Sequence, residues 1–143
     1  GKNNIDFVTI STEGNATDFG DLSTTVREFT ACSSPTRGVL AGGYVPGSPG
    51  VTNVMQFLTI ATTGDSKDFG DLVFGGSYIA GTSNSVRAVW SGLYGGSPSV
   101  TAQNVIQYSS IQTLGNTLDF GDLISAYSNL SGATSDTHGG LTQ

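Results

Sequence analysis

The sequence predicts an all-β fold in which one supersecondary unit recurs about every 50 residues. Three observations carry this. The segment Asp-Phe-Gly-Asp-Leu starts at residues 18, 68 and 119, a spacing of 50 and then 51 residues. No 11-residue window has the 3.6-residue apolar period of an amphipathic helix. Good helix formers are scarce, whereas Gly (21 residues), Ser and Thr are abundant, which suits short strands joined by tight turns.

The elements follow in order within each copy. The segment Asn4-Ile5-Asp6-Phe7-Val8-Thr9-Ile10 matches Asn53-Val54-Met55-Gln56-Phe57-Leu58-Thr59-Ile60 and Asn104-Val105-Ile106-Gln107-Tyr108-Ser109-Ser110-Ile111. Alternation and β-branched or aromatic content make each a strand. A glycine turn follows each time, at Glu13-Gly14-Asn15, Thr63-Gly64-Asp65 and Leu114-Gly115-Asn116. The Asp-Phe-Gly-Asp-Leu segment is the next strand. Downstream lies Thr36-Arg37-Gly38-Val39-Leu40-Ala41-Gly42-Gly43-Tyr44, matched by Val86-Arg87-Ala88-Val89-Trp90-Ser91-Gly92-Leu93-Tyr94 and, in degenerate form, by Thr137-His138-Gly139-Gly140-Leu141-Thr142-Gln143. About four strands per repeat result, in the second copy at residues 29–33, 37–43, 53–62 and 67–73. The chain reads as one repeat domain, 1–143, with repeats at about 1–28, 29–78, 79–129 and 130–143.

Four short strands per ~50 residues, with Gly-Gly-aromatic after the second, is the pattern of a β-propeller blade. The stretch from Thr36 to Tyr44 followed by Asn53-Val54-Met55-Gln56-Phe57 resembles the core of kelch-type repeats. The fuller string from Ile60 to Leu72 resembles kelch-like repeats in proteins of tailed marine phages, cyanophages above all. The resemblance spans nearly the whole chain. The chain departs from it by lacking the outer-strand tryptophan, with Phe19, Phe69 and Phe120 in its place, and by losing Gly-Gly-Tyr in the third copy. The resemblance implies a virion-associated protein, a decoration or tail-fibre module that attaches to host glycans.

Three blades are too few to close a ring of 4–8. The expectation is therefore a homodimer completing a six-bladed propeller. The chain opens on third- and fourth-strand segments (4–10 and 17–23) and ends on a first and a truncated second (130–134 and 138–143). These are complementary halves, expected to pair between two chains as composite blades.

Composition narrows the function. Charged residues are 11% and hydrophobic ones 36%, with a net charge of −6. That speaks against nucleic acid or an anionic membrane as partner, since both need a basic face. No apolar run approaches ~18 residues, and the N-terminus does not read as a signal peptide. The single cysteine, Cys32, excludes an internal disulfide framework and reads as a small buried hydrophobe.

The carboxylates Asp18 and Asp21, Asp68 and Asp71, and Asp119 and Asp122 invite a Ca²⁺ reading. A structural role is favoured instead. Phe and Leu of each motif pack between units, the strand bends at Gly20, Gly70 and Gly121, and the aspartates take turn hydrogen bonds or pair with Arg37 and Arg87. No metal or cofactor is expected. The contained Asp-Phe-Gly lacks every other kinase element. The single histidine, His138, reads as drift at the position of Arg37 and Arg87. The paired glycines are strand-end and turn residues, because no helix follows them.

Tyr44, Trp90 and Tyr94 are the candidates for a ligand surface, with core packing the competing role for Trp90. The insertions at 45–52 and 95–103, each with a Gly-Ser-Pro, are where binding is expected. The reading is a non-enzymatic structural and binding protein whose partners are itself and a glycan. The alternatives are a designed or reconstructed half-propeller without a selected ligand and a propeller-type glycan-active enzyme.

Overall fold

The computed structural model describes residues 2–47, 50–95, 101–130 and 132–135. The fold is all-β, and no helix occurs among the described residues. Among the described residues twelve strands run in order: β1 (Asn4–Phe7), β2 (Thr17–Asp21), β3 (Thr30–Ser33), β4 (Arg37–Ala41), β5 (Tyr44–Val45), β6 (Gly50–Val51), β7 (Val54–Thr59), β8 (Lys67–Asp71), β9 (Ala80–Ser83), β10 (Arg87–Gly95), β11 (Thr101–Ser110) and β12 (Leu118–Tyr127). They form antiparallel sheets ordered β1-β2, β3-β4-β7-β8 and β9-β10-β11-β12, plus the small β5-β6 ribbon. We call the first three sheets units 1, 2 and 3.

The repeat thus gives two four-stranded units and one two-stranded unit. Residues 130 and 132–134, expected as a strand, carry none. A strand exists only through a ladder, and no described segment offers them one. The segment 138–143, with His138, lies outside the described residues, as do Ser48, Pro49 and 96–100.

Units 2 and 3 differ where their glycines differ. Gly42 (φ 64°) and Gly43 (φ 110°) break the chain after β4, so β5-β6 forms a separate ribbon. Unit 3 has Gly92 (φ 53°) followed by Leu93. With one left-handed residue the strand only bulges, and β10 runs on to Gly95.

The core fills the space between units. Val39, Met55, Phe69, Leu72, Ala88, Trp90, Leu93 and Ile111 are buried together. Of the motif residues expected to pack between units, Phe69, Leu72 and Leu22 are buried, Phe19 and Leu123 are half-buried, and Phe120 is exposed because no further unit covers it among the described residues. Each motif phenylalanine also meets an aromatic of the preceding strand edge-on: Phe7–Phe19 at 6.0 Å, Phe57–Phe69 at 6.2 Å and Tyr108–Phe120 at 5.8 Å.

The units are joined by hydrogen bonds that recur. Unit 2's glycine turn lies on β2 of unit 1: Gly64 N–H donates to the Phe19 carbonyl (2.7 Å) and Ser66 N–H to the Asp21 carbonyl (2.8 Å). In return Asp21 N–H donates to Asp65 Oδ1 at 2.9 Å. Unit 3 lies on β8 in the same way: Gly115 N–H to Phe69 (2.8 Å), Thr117 N–H to Asp71 (2.9 Å), and Asp71 N–H to Asn116 Oδ1 (3.0 Å). This explains the central glycine of the motif. A Cβ at Gly20 or Gly70 would stand 2.5 Å from the backbone of Gly64 or Gly115. The glycine is there because the next turn's main chain touches it.

A buried amide completes each joint. Gln56 Oε1 accepts from Ser23 N–H (2.9 Å), Ser23 Oγ–H (2.7 Å) and Ser66 Oγ–H (2.7 Å). Gln107 accepts from Phe74 N–H (3.1 Å) and Thr117 Oγ1–H (2.9 Å), and donates to the Phe74 carbonyl (3.0 Å).

Candidate functional site

The segments that link units pair with β5 on entering unit 2 and with β10 on entering unit 3. Arg27 exchanges two main-chain hydrogen bonds with Tyr44, at 3.0 and 2.7 Å, and Ser77 does the same with Tyr94, at 3.0 and 2.9 Å. The next residues, Glu28 (φ 60°) and Tyr78 (φ 56°), are non-glycines in the left-handed region. Such a conformation costs about 1–3 kcal/mol and is held only where neighbours determine it. Here Tyr78 N–H donates to the Glu28 carbonyl at 3.1 Å. The two side chains also meet: a hydrogen bond to the Glu28 carboxylate, then that group's charge, pushes the Tyr78 phenol up.

The Arg27 guanidinium lies 4.5 Å from the centre of the Tyr44 ring, and its Nε is 3.7 Å from Glu28 Oε1. Arg27, Glu28, half-buried Tyr44 and exposed Tyr78 are thus clustered, and exposed Tyr94 pairs through its main chain with Ser77, the residue before Tyr78. Exposed phenol rings beside a carboxylate and a guanidinium can stack a planar apolar face and accept or donate hydrogen bonds around it.

Of the three aromatic candidates, Tyr44 belongs to this cluster and Tyr94 is exposed next to the segment that carries Tyr78. Trp90 is instead fully buried in the core, although Leu40, its match in unit 2, is only half-buried. Sequence reasoning missed Tyr78 and Glu28. Their signal, a matched pair just before the first strand of units 2 and 3, was hidden by their chemical difference.

The expected Arg–Asp pairs are absent. Arg37 and Arg87 lie over Phe57 and Tyr108, each 4.6 Å from the ring centre. Arg37 Nη1 also donates to the Ile111 carbonyl at 2.8 Å. Among the described residues the one ion pair is Arg27–Glu28. The motif aspartates lie within strands, not turns. Asp21 and Asp71 contribute through their main chain, and Asp119 accepts locally from Gly121 N–H at 3.2 Å. Asp18, Asp68 and Asp122 are exposed. No three His, Cys, Asp or Glu side chains gather as a metal site among the described residues.

A concavity of about 410 Å³ opens between β3, β9 and residues 133–135, lined by Cys32, Ser33, Gly81, Thr82 and Ser83. Ser83 Oγ joins the two strands, accepting from Ser33 N–H (3.2 Å) and donating to its carbonyl (2.8 Å). Cys32 Sγ points at the Thr82 carbonyl (3.3 Å), and burial pushes its thiol up to about 12. A protonated, buried thiol is not a nucleophile. No protein family matches the chain, and no curated protein is significantly similar to it.

Proposed function

We propose that this is a non-enzymatic structural and binding protein of the β-propeller type that completes its ring with further copies of itself, two chains making six blades. The observation that carries it is the contrast between inner and outer units. Phe69 is 1% exposed inside, whereas Phe120, its repeat equivalent on the last sheet, is 54% exposed. Beside Phe120 stand exposed Leu118 and Ile124, and on unit 1 Phe7, Val8 and Ile10. Apolar surface at both ends of a stack of like units marks an interaction site, and like units are its best-fitting cover. Light scattering or native mass spectrometry at micromolar concentration tests this: a dimer is expected, and a well-folded monomer overturns it.

The binding part rests on Tyr44, Tyr78 and Tyr94. Together with the resemblance to cyanophage repeats it supports a glycan as ligand and a virion surface as location. Glycan-array binding that is lost in Tyr78→Ala and Tyr94→Ala is the expected result. An array with no binding would leave a scaffold without a selected ligand.

A further inference from the structure

The joint described between units 1 and 2 and between units 2 and 3 has its two halves once more, each unoccupied among the described residues. A Cβ at Gly121 would meet nothing within 4 Å among the described residues, unlike its equivalents Gly20 and Gly70. On unit 1, Gly14 N–H donates to no carbonyl among the described residues, whereas Gly64 and Gly115 N–H donate to Phe19 and Phe69. Asn15 matches Asp65 and Asn116, whose Oδ1 atoms hold the N–H of Asp21 and Asp71.

A second pair of positions says the same. Arg37 reaches forward to the Ile111 carbonyl, and Ile111 is 0% exposed. Its equivalent in unit 3, Arg87, is exposed, and the equivalent of Ile111 in unit 1, Ile10, is 98% exposed. The donor is on one end of the molecule and the acceptor on the other.

We propose that the β12 edge at Phe120–Gly121–Asp122 is a seat for the glycine turn at residues 13–17 of a second copy of this chain. The contact is directional: Gly14 N–H donates to the Phe120 carbonyl, Asp122 N–H to Asn15 Oδ1, and Arg87 to the Ile10 carbonyl. It rests on the self-assembly reading above and deepens it by naming the surfaces and their polarity. A head-to-tail contact of this kind closes into a ring if the rotation per chain allows. One part of the internal joint is altered. Asp6 and Ala16 stand where Gln56 and Ser66, or Gln107 and Thr117, form the buried clasp. The joint between copies therefore lacks the amide clasp and is weaker than the internal joints, hence reversible.

Cysteine cross-linking tests the polarity. The hydroxyls of Ser23 and Ser66 both donate to Gln56 Oε1, at 2.7 Å each, so those two side chains are neighbours. Their equivalents across the proposed joint are Ile124 and Ala16, both exposed here. Ile124→Cys and Ala16→Cys should cross-link under mild oxidation when mixed, and neither should when alone. Cys32, buried with its thiol pushed up to about 12, stays silent. Association should weaken about fivefold in Asn15→Ala, the loss of one hydrogen bond, and persist in Asn15→Asp, since Asp65 does the same work in unit 2. A wild-type chain that is monomeric overturns self-assembly altogether. A wild-type oligomer whose mixed variants fail to cross-link, or in which each variant cross-links alone, overturns only the seat.

Discussion

Trp90 shows what a single position of a repeat can absorb. It stands where Leu40 stands one copy earlier, and its indole Nε1–H is buried without a partner among the described residues. Truncation to alanine removes a whole ring and should cost about 3–5 kcal/mol. Trp90→Phe also removes the orphan donor, whose burial costs about 1–3 kcal/mol, so we expect a net loss below about 1.5 kcal/mol. Urea midpoints of the two variants decide; equal losses would show that the N–H has a partner. Cys32 gives a pH dependence. Burial holds its thiol at about 12, against 9.0 for an ordinary thiol. Between those values the unfolded chain has lost the proton that the native chain keeps. The thiol's contribution is thus complete below pH 9 and declines as pH rises towards 12, by at most about 1.4 kcal/mol per unit. Unfolding free energies of wild type and Cys32→Ala at pH 8 and 10 should diverge by that slope; parallel behaviour would place the thiol in water. The burial of Cys32 was legible from its strand of small residues. The partners of Arg37 and Arg87 were not. Sequence shows an Asp in each copy but not which way it faces, and an aromatic one strand away is the nearer neighbour.

At the scale of elements, the positions of β3, β4, β7 and β8 were legible because alternation and glycine turns repeat. The joint between elements was only half legible. The motif glycine was read as a bend, and what it accommodates is the next turn's main chain. Gln56 and Gln107 occupy matched positions in β7 and β11, yet a polar residue in a half-exposed strand gives no sign of being buried. The fold shows both nearly fully buried, each holding the segment after the preceding motif. Gln107→Leu keeps the volume and adds apolar surface, so transfer energies alone favour it. It also leaves Phe74 N–H and the Phe74 carbonyl, both part-buried, without their side-chain partner, at about 1–3 kcal/mol for each group left unsatisfied, while Thr117 Oγ1 keeps the Val73 N–H at 2.8 Å. We expect a net destabilisation of about 2–4 kcal/mol by urea unfolding. A variant as stable as wild type would mean that water reaches the joint.

At the scale of the whole molecule, what remains is how like-charged copies meet. Each chain carries −6, so two chains repel one another at long range. The surfaces proposed to meet are apolar (Ile10, Phe120, Ile124) and main-chain, and Arg87 is directed at a carbonyl rather than a carboxylate. Salt screens the repulsion, with a Debye length near ~10 Å at 0.1 M and ~3 Å at 1 M, and leaves short hydrogen bonds and apolar burial intact. Association should therefore tighten between about 0.02 and 0.5 M sodium chloride, read as a falling dissociation constant by sedimentation. The opposite trend has a specific meaning. If salt dissociated the copies, ion pairs rather than hydrogen bonds and apolar burial would be holding the joint.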